Sequence, residues 1–315
     1  MTFNVRDIAF RYSRAILLII IIIGFGIFNG NMLTTNNIGN VINQQAPFII
    51  LYSFGMTLAI ITKGIDCSIG SIVALSSCVA AYFIKSGHIA GGIAVGMLIG
   101  LACGCINGLL ITKIKLAPFI ATYGMDWVIR GMAYIIMGGA MIYDFSDDFR
   151  VIATGSALHM SSLLIIAVII SAVLIAVLRF TVYGRNIYSI GSNMNATKLS
   201  GINTDRIIIS VYAISGFLAA VTGLLYVARL NAAEALIGQD FTLKAIAATL
   251  IGGTSFQGGK GGVGNTIIGA LIMVFLANGM NLMGISNLWQ DAVFGFIIIL
   301  SALIEKITSR QMATH

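Results

Sequence analysis

An all-α, polytopic membrane protein of about ten transmembrane helices is the fold class this sequence predicts, at roughly 20 apolar residues per span. Three observations predict it. Of 315 residues, 58% are hydrophobic and 9% charged, with a mean hydropathy of +0.98, where an ordinary soluble domain carries about 25% charged residues. Apolar stretches of bilayer-crossing length recur along the chain with short polar segments between them. Glycines number 36 and prolines two, Pro47 and Pro118, and small residues let helices approach closely in lipid. Ten spans use about 200 residues, which leaves no space for a soluble domain of useful size. Residues 1–315 therefore read as one transmembrane domain.

The elements follow in order. Arg6, Arg11 and Arg14 precede an apolar run from Ala15 to Phe28. That run resembles the front of a signal peptide, but no small-x-small cleavage site follows, so it is read as a first membrane helix. Further spans lie near 44–62, 65–84, 90–112, 116–138, 161–179, 207–228, 243–253, 263–283 and 289–306. Placing the N-terminus in the cytoplasm puts thirteen of the 18 lysines and arginines inside. Lys85, Arg150, Arg229 and Lys244 fall outside, and Arg130 lies within a span. This bias satisfies the positive-inside rule and places both termini in the cytoplasm. The net charge of +7 is then a matter of topology, with no nucleic-acid partner implied.

Two polar stretches separate spans. Residues 139–160, with Asp144, Asp147 and Asp148, belong to the outer side, and 180–206 form the longest inside loop. Within that loop, Asn195 to Gly201 predicts one short helix stopped by glycine. It is either a solvated connector or a docking knob for a soluble partner. Two spans look broken, KGIDCSIGS at 63–71 and IGGTSFQGGKGGVG at 251–264. Broken backbone at membrane depth is tolerated only against protein or a water-filled path. Both share an apolar run, glycine, polar cluster and glycine, which hints at two related halves, a common transporter design.

Most catalytic chemistry is excluded. Gly259, Gly261 and Gly264 satisfy G-x-G-x-x-G formally, but interrupt a membrane span, and the next acid is Asp291. A dinucleotide site needs a strand, a helix and an acid about 20 positions on. A P-loop fails too, with Thr254 where a glycine belongs and Gly261 where a magnesium-holding hydroxyl belongs. Any ATP that drives the protein must be bound by a partner. His88, His159 and His315 lack a second ligand at i+4, and Cys67, Cys78, Cys103 and Cys105 sit in apolar surroundings as packing residues. No metal, cofactor or disulfide framework is implied. No G-x-S-x-G elbow is present.

The remaining polar residues lie inside spans. Asp126 and Arg130, in YGMDWVIRGM, are four apart and share a helix face. They form either a structural ion pair or a polar lining for the route of a hydroxylated solute. Asn107, Asn278, Asn281 and Gln290 suit sugar hydroxyls or interhelical hydrogen bonds. In the Gly64, Asp66, Ser68, Gly70 motif, Asp66 either caps a helix beginning at residue 67 or contacts substrate.

Four segments then carry a resemblance: GMTLAIITKGIDCSIGSIVAL, INGLLITKIKLAPFIATYGM, GRNIYSIGSNMNATKLSGINTDR and IAATLIGGTSFQGGKGGVGNTIIGALI. In this order, from about residue 50 to 306, the chain resembles the membrane permeases of bacterial ribose-type ABC importers. The resemblance implies the fold of the ten-helix type II importers, with broken helices, in the bacterial cytoplasmic (inner) membrane. It implies a transmembrane permease subunit that forms the path for a ribose-like monosaccharide and has no ATPase site of its own. The implied partners are a second permease subunit, identical or paralogous, cytoplasmic ATP-binding subunits and a periplasmic sugar-binding protein, within membrane lipid. It also implies that Ala196 to Gly201 forms a coupling helix seated in a groove of the ATPase. The contact set expected there is Ala196, Thr197, Lys198, Leu199, Ser200, Gly201 and Ile202. Three positions depart from the family pattern. Lys63 stands where glycine or a small residue is usual, Cys67 where leucine is usual, and Asp126 where an acid is rare. The alternative is an ion-coupled secondary transporter of a small polar solute, which would share the broken helices and the intramembrane acid.

Overall fold

Apolar runs become helices close to where hydropathy puts them. A computed structural model describes residues 5–157 and 160–313, so His159 and His315 lie outside the described residues. The helices are α1 (Val5–Phe28), α2 (Thr35–Asn40), α3 (Ala46–Ile61), α4 (Ile69–Lys85), α5 (Ile89–Thr112), α6 (Pro118–Met137) and α7 (Asp147–Thr154). They continue as α8 (Ser162–Phe180), α9 (Val182–Ser192), α10 (Met194–Leu199), α11 (Thr204–Leu230), α12 (Phe241–Ile251), α13 (Val263–Leu282) and α14 (Asn287–Ala313). A π-turn at Val41–Gln45 joins α2 to α3 into one rod. That rod and α5, α8, α11 and α13 are each long and apolar enough to cross a bilayer; α4, α12 and parts of α1 and α14 are shorter apolar helices. The chain is a multi-pass membrane protein.

Beside the helices, β1 (Ile142–Tyr143) pairs antiparallel with β4 (Ala232–Ala233), Ile142 opposite Ala233. This ties the segment after α6 to the segment after α11. A second pair, β2 (Ser156–Ala157) and β3 (Met160–Ser161), sets Ser156 opposite Ser161.

The centre of the bundle is the contact of α3 with α11, both buried over most of their length. Around it the packing repeats. α4 lies against α5 and α6, as α12 lies against α13 and α14; α11 packs on α5, as α3 packs on α13. The two sets run in opposite directions. The starts of α4 and α12 meet, since Gly70 N–H donates to Thr242 Oγ1 and the Thr242 hydroxyl donates to the Cys67 carbonyl. From there α4 runs towards the β1 side, where Tyr82 reaches the Ile136 carbonyl. α12 runs instead towards the end of α3, where Gly259 N–H donates to Ile61 O. These are related halves of inverted direction. The break equivalent to 62–68 is therefore the re-entrant segment 231–240. Glycine density had pointed to 251–264, which is a compact connection at the α3 end.

Polar groups inside the bundle are bonded between elements, as hydrocarbon surroundings demand. The Thr57 hydroxyl shares hydrogen bonds with Thr266, at 2.7 Å, and Thr249, at 3.3 Å, joining α3, α13 and α12. At the end of α3, Lys63 N–H donates to Ile60 O and Gly64 N–H to Ala59 O. This is a Schellman stop, whose left-handed position favours glycine, yet Lys63 occupies it with φ 63°. Lys63→Gly is expected to raise stability by about 1 kcal/mol, read as a higher thermal unfolding midpoint in detergent. An unchanged or lower midpoint counts against that account.

Candidate functional site

Two of the shorter helices, α4 with 17 residues and α12 with 11, start inside the bundle from opposite sides, and the site is built on that junction. Each helix start leaves free N–H groups and a partial positive charge. Next to α4, the fully buried Asp66 carboxylate accepts from Ser68 N–H at 3.1 Å, from the Ser68 hydroxyl and from the Ser215 hydroxyl, each at 2.7 Å. Asn107 donates to the Ser68 hydroxyl at 2.7 Å, and the Thr122 hydroxyl binds the Ile65 carbonyl and Cys67 N–H. The helix starts at Ile69, two residues later than expected, with Ser68 at the cap position. At α12, Asp240 takes the cap position and pairs with Lys244 one turn on.

Arg130 holds the re-entrant segment in place. Its Nη1 donates to the carbonyls of Ala235 and Ile237, both at 2.7 Å, and the guanidinium lies beside Gly70. Gly70 and Gly238 approach so closely that a Cβ on either would strike the other's backbone. Arg130 lies past the middle of α6, so the carbonyls it holds sit against the second half of that helix. Asp126 is half-buried, at the border between the packed face of α6 and an exposed aromatic stripe of Phe119, Tyr123 and Trp127. Among the described residues, the ion pairs join Lys85 to Asp144, Lys113 to Asp205, Arg150 to Asp147 and Lys244 to Asp240. Asp126 and Arg130 do not close one.

Beyond the junction, a polar cavity of about 470 Å³ opens between α3, the re-entrant segment, α12, α13 and α14. Asp240, Lys244, Gln239 and Asn281 face it, and Gln290 donates to Asn281 Oδ1 at 2.6 Å.

The family model for the branched-chain amino acid transport system, permease component, matches residues 37–302. The chain belongs to that permease family. The ribose import permease protein of Escherichia coli K12 is 37% identical over 295 residues, 92% of either chain. That of Bacillus subtilis 168 is 39% identical over 292 residues, 92% of this chain and 90% of its own. The D-allose transport system permease protein of Escherichia coli K12 is 36% identical over 303 residues, 95% of this chain and 93% of its own. No solved structure gives a significant match to the chain.

In this permease the polar segment 180–206 holds two helices, α9 and α10, where the sequence had indicated one. α10 begins at an Asn193 cap, whose side chain accepts from Ala196 N–H at 3.0 Å. It ends in a Schellman stop: Gly201, at φ 80°, donates to Lys198 O and Ile202 N–H to Thr197 O. Ala196, Lys198, Ser200 and Gly201 are exposed, and Leu199 is 90% exposed. Thr197 differs from its expected place in the contact set. It is 2% exposed because its hydroxyl bonds Ser189, at 2.7 Å, and the Asn193 carbonyl, which pins α10 onto α9. α9 is pinned in turn. Tyr188 donates to Gly261 O, and Lys63 to Ser192 O. Burial pushes the Tyr188 phenol up from its usual value, which keeps that donor protonated.

The other expected path residues separate. Asn107 is fully buried on Ser68, and Asn278 exchanges hydrogen bonds with Asn37 at 2.9 and 3.1 Å. Both brace helices. Of the four amides, Asn281 and Gln290 reach the cavity. Sequence reasoning did not single out Asp240, Lys244 or Gln239 as site residues. The i, i+4 spacing of the acid and lysine at the start of an apolar helix was the available signal.

Proposed function

We propose that this chain is the permease subunit of an ATP-driven importer of a ribose-like monosaccharide. It works beside a second permease subunit, identical or paralogous, with ATP-binding subunits on the cytoplasmic side and a sugar-binding protein outside. One observation carries the reading: nearly full-length likeness to permeases named for ribose and D-allose. Both termini lie in the cytoplasm in this reading, which the distribution of basic residues supports.

Coupling follows from how α10 is tied. ATP binding closes the ATPase pair and moves α10, whose exposed Leu199, Lys198 and Gly201 form the contact. Thr197 passes the movement to α9, and α9 grips two places at once through Lys63 and Gly261. Lys63 opens the break that leads into α4, and Gly261 lies on the connection that leaves α12. One displaced helix thus acts on both half-helices, and through them on the junction where the path alternates. Only a difference in ATPase contact between two permease states can drive this shift.

Reconstitution of the complex in liposomes tests the reading, with labelled D-ribose, D-allose and D-fructose assayed for ATP-dependent uptake. Uptake driven by a proton or sodium gradient without ATP would overturn it in favour of a secondary transporter. In the same assay Leu199→Asp is expected to lower uptake about ten-fold or more, the worth of one apolar side chain buried at an interface. Membrane insertion stays intact because Leu199 packs on nothing in this chain. Normal uptake by Leu199→Asp would remove α10 as the contact.

A further inference from the structure

The cavity beside α12 gathers charged and amide side chains against one edge of the apolar core. It descends along α13 from Asn281 to Met273, about 12 Å at the helical rise. Asp240 and Lys244 stand at its depth with side chains 43% and 23% exposed. Partly open charges in a multi-pass protein are stable only facing protein or water, and with Gln45, Gln239, Asn281, Gln290 and Asp291 also lining it the pocket is an aqueous one. Its volume of about 470 Å³ falls within the range of small-molecule sites, about 300–1,000 Å³.

We propose that this pocket is a binding subsite for a neutral polyhydroxylated ligand, the monosaccharide entering from the outer side; this rests on the permease reading above. The chemistry fits in three ways. Asp240 accepts from hydroxyls, Lys244 donates to them, and Gln239, Gln45 and Asn281 do both. Ile49, Met273, Val274 and Phe294 supply an apolar wall for the C–H face of a sugar ring. The charges disfavour anions, since Asp240 and the exposed Asp291 outnumber Lys244. The pocket also ends at the start of α12, so occupancy is felt by the half-helix that the coupling loop moves.

The test places a thiol in the pocket. Gln239 is exposed, whereas Cys67, Cys78 and Cys103 are buried. Gln239→Cys is made in a Cys105→Ala background and assembled with its partner subunits. A membrane-impermeant maleimide is then added from outside with D-ribose, D-allose or D-fructose. A sugar at twice its dissociation constant is expected to slow labelling about three-fold. Asn281→Leu, and separately Asp240→Asn, are expected to remove that protection while labelling itself continues. Labelling unmoved by all three sugars, in a complex that imports one of them, overturns the subsite and leaves the permease reading standing. A Gln239→Cys that never labels also overturns it, since the pocket would not open outward. A complex that imports none of the three, with labelling unmoved, overturns both.

Discussion

Gly104→Ala is expected to destabilise the permease by about 3 kcal/mol or more, at the upper end of overpacking costs. On α5, Gly92, Gly96, Gly100, Gly104 and Gly108 recur every fourth residue, and all five are buried. The stripe faces α4 at its first two members and α11 along the rest. A Cβ on Gly104 would strike the Tyr212 carbonyl and stand 2.9 Å from Ala213 Cα; one on Gly108 would stand 2.6 Å from Ile209 Cα. These are backbone atoms, so no side chain can rotate away. Lipid supplies no hydrophobic force between helices, and close packing is what holds them. The matched control is Gly131→Ala on α6, where a Cβ meets nothing within 4 Å. It is expected to be neutral or to stabilise by up to about 1 kcal/mol through helix propensity. Thermal unfolding of purified protein in detergent reads both, and shifts of the same sign would refute the packing argument.

The spans were legible in the sequence, whereas the stripe, though it repeats every fourth residue, was not singled out there. α5, α8 and α13 start and stop within one residue of the apolar limits, because hydrocarbon leaves the backbone no alternative to a helix. The site was less legible, for a physical reason. Glycine density identifies backbone that turns tightly, so it found 251–264, but a re-entrant segment held from outside needs few glycines. Residues 231–240 contain one, Gly238, where the two half-helices touch. Long-range partners were beyond local spacing altogether. The i, i+4 rule pointed Arg130 at Asp126, while its real partners lie more than a hundred residues on, in Ala235 and Ile237. Asn278 finds Asn37 at still greater separation. The family resemblance put Thr197 in the partner contact set, although it is buried and its hydroxyl bonds Ser189 of α9.

Arg130→Met is expected to abolish transport and to cost about 3–5 kcal/mol of stability, the range for breaking a buried charged contact. Arg130 is 8% exposed and gives two hydrogen bonds from one nitrogen. Bonds from a charged donor are worth about 1.5–3 kcal/mol each. Methionine fills the volume but takes the Arg130 donor from the Ala235 and Ile237 carbonyls in a buried setting. The re-entrant segment then loses the contact that sets where α12 begins, and with it the meeting of Gly70 and Gly238. Arg130→Lys keeps the charge but not the reach and fixed planar geometry of the guanidinium, so it should recover part of the stability and little transport. Asp126→Asn separates the two accounts of this arginine. If the pair of charges were the structural unit, neutralising Asp126 would cost about as much as removing Arg130, since an unpaired buried cation would remain. With the guanidinium held by carbonyls instead, Asp126→Asn should leave the unfolding midpoint within about 0.5 kcal/mol of the unaltered protein. Equal losses in Asp126→Asn and Arg130→Met would place the ion pair back at the centre and take the re-entrant segment's anchor away.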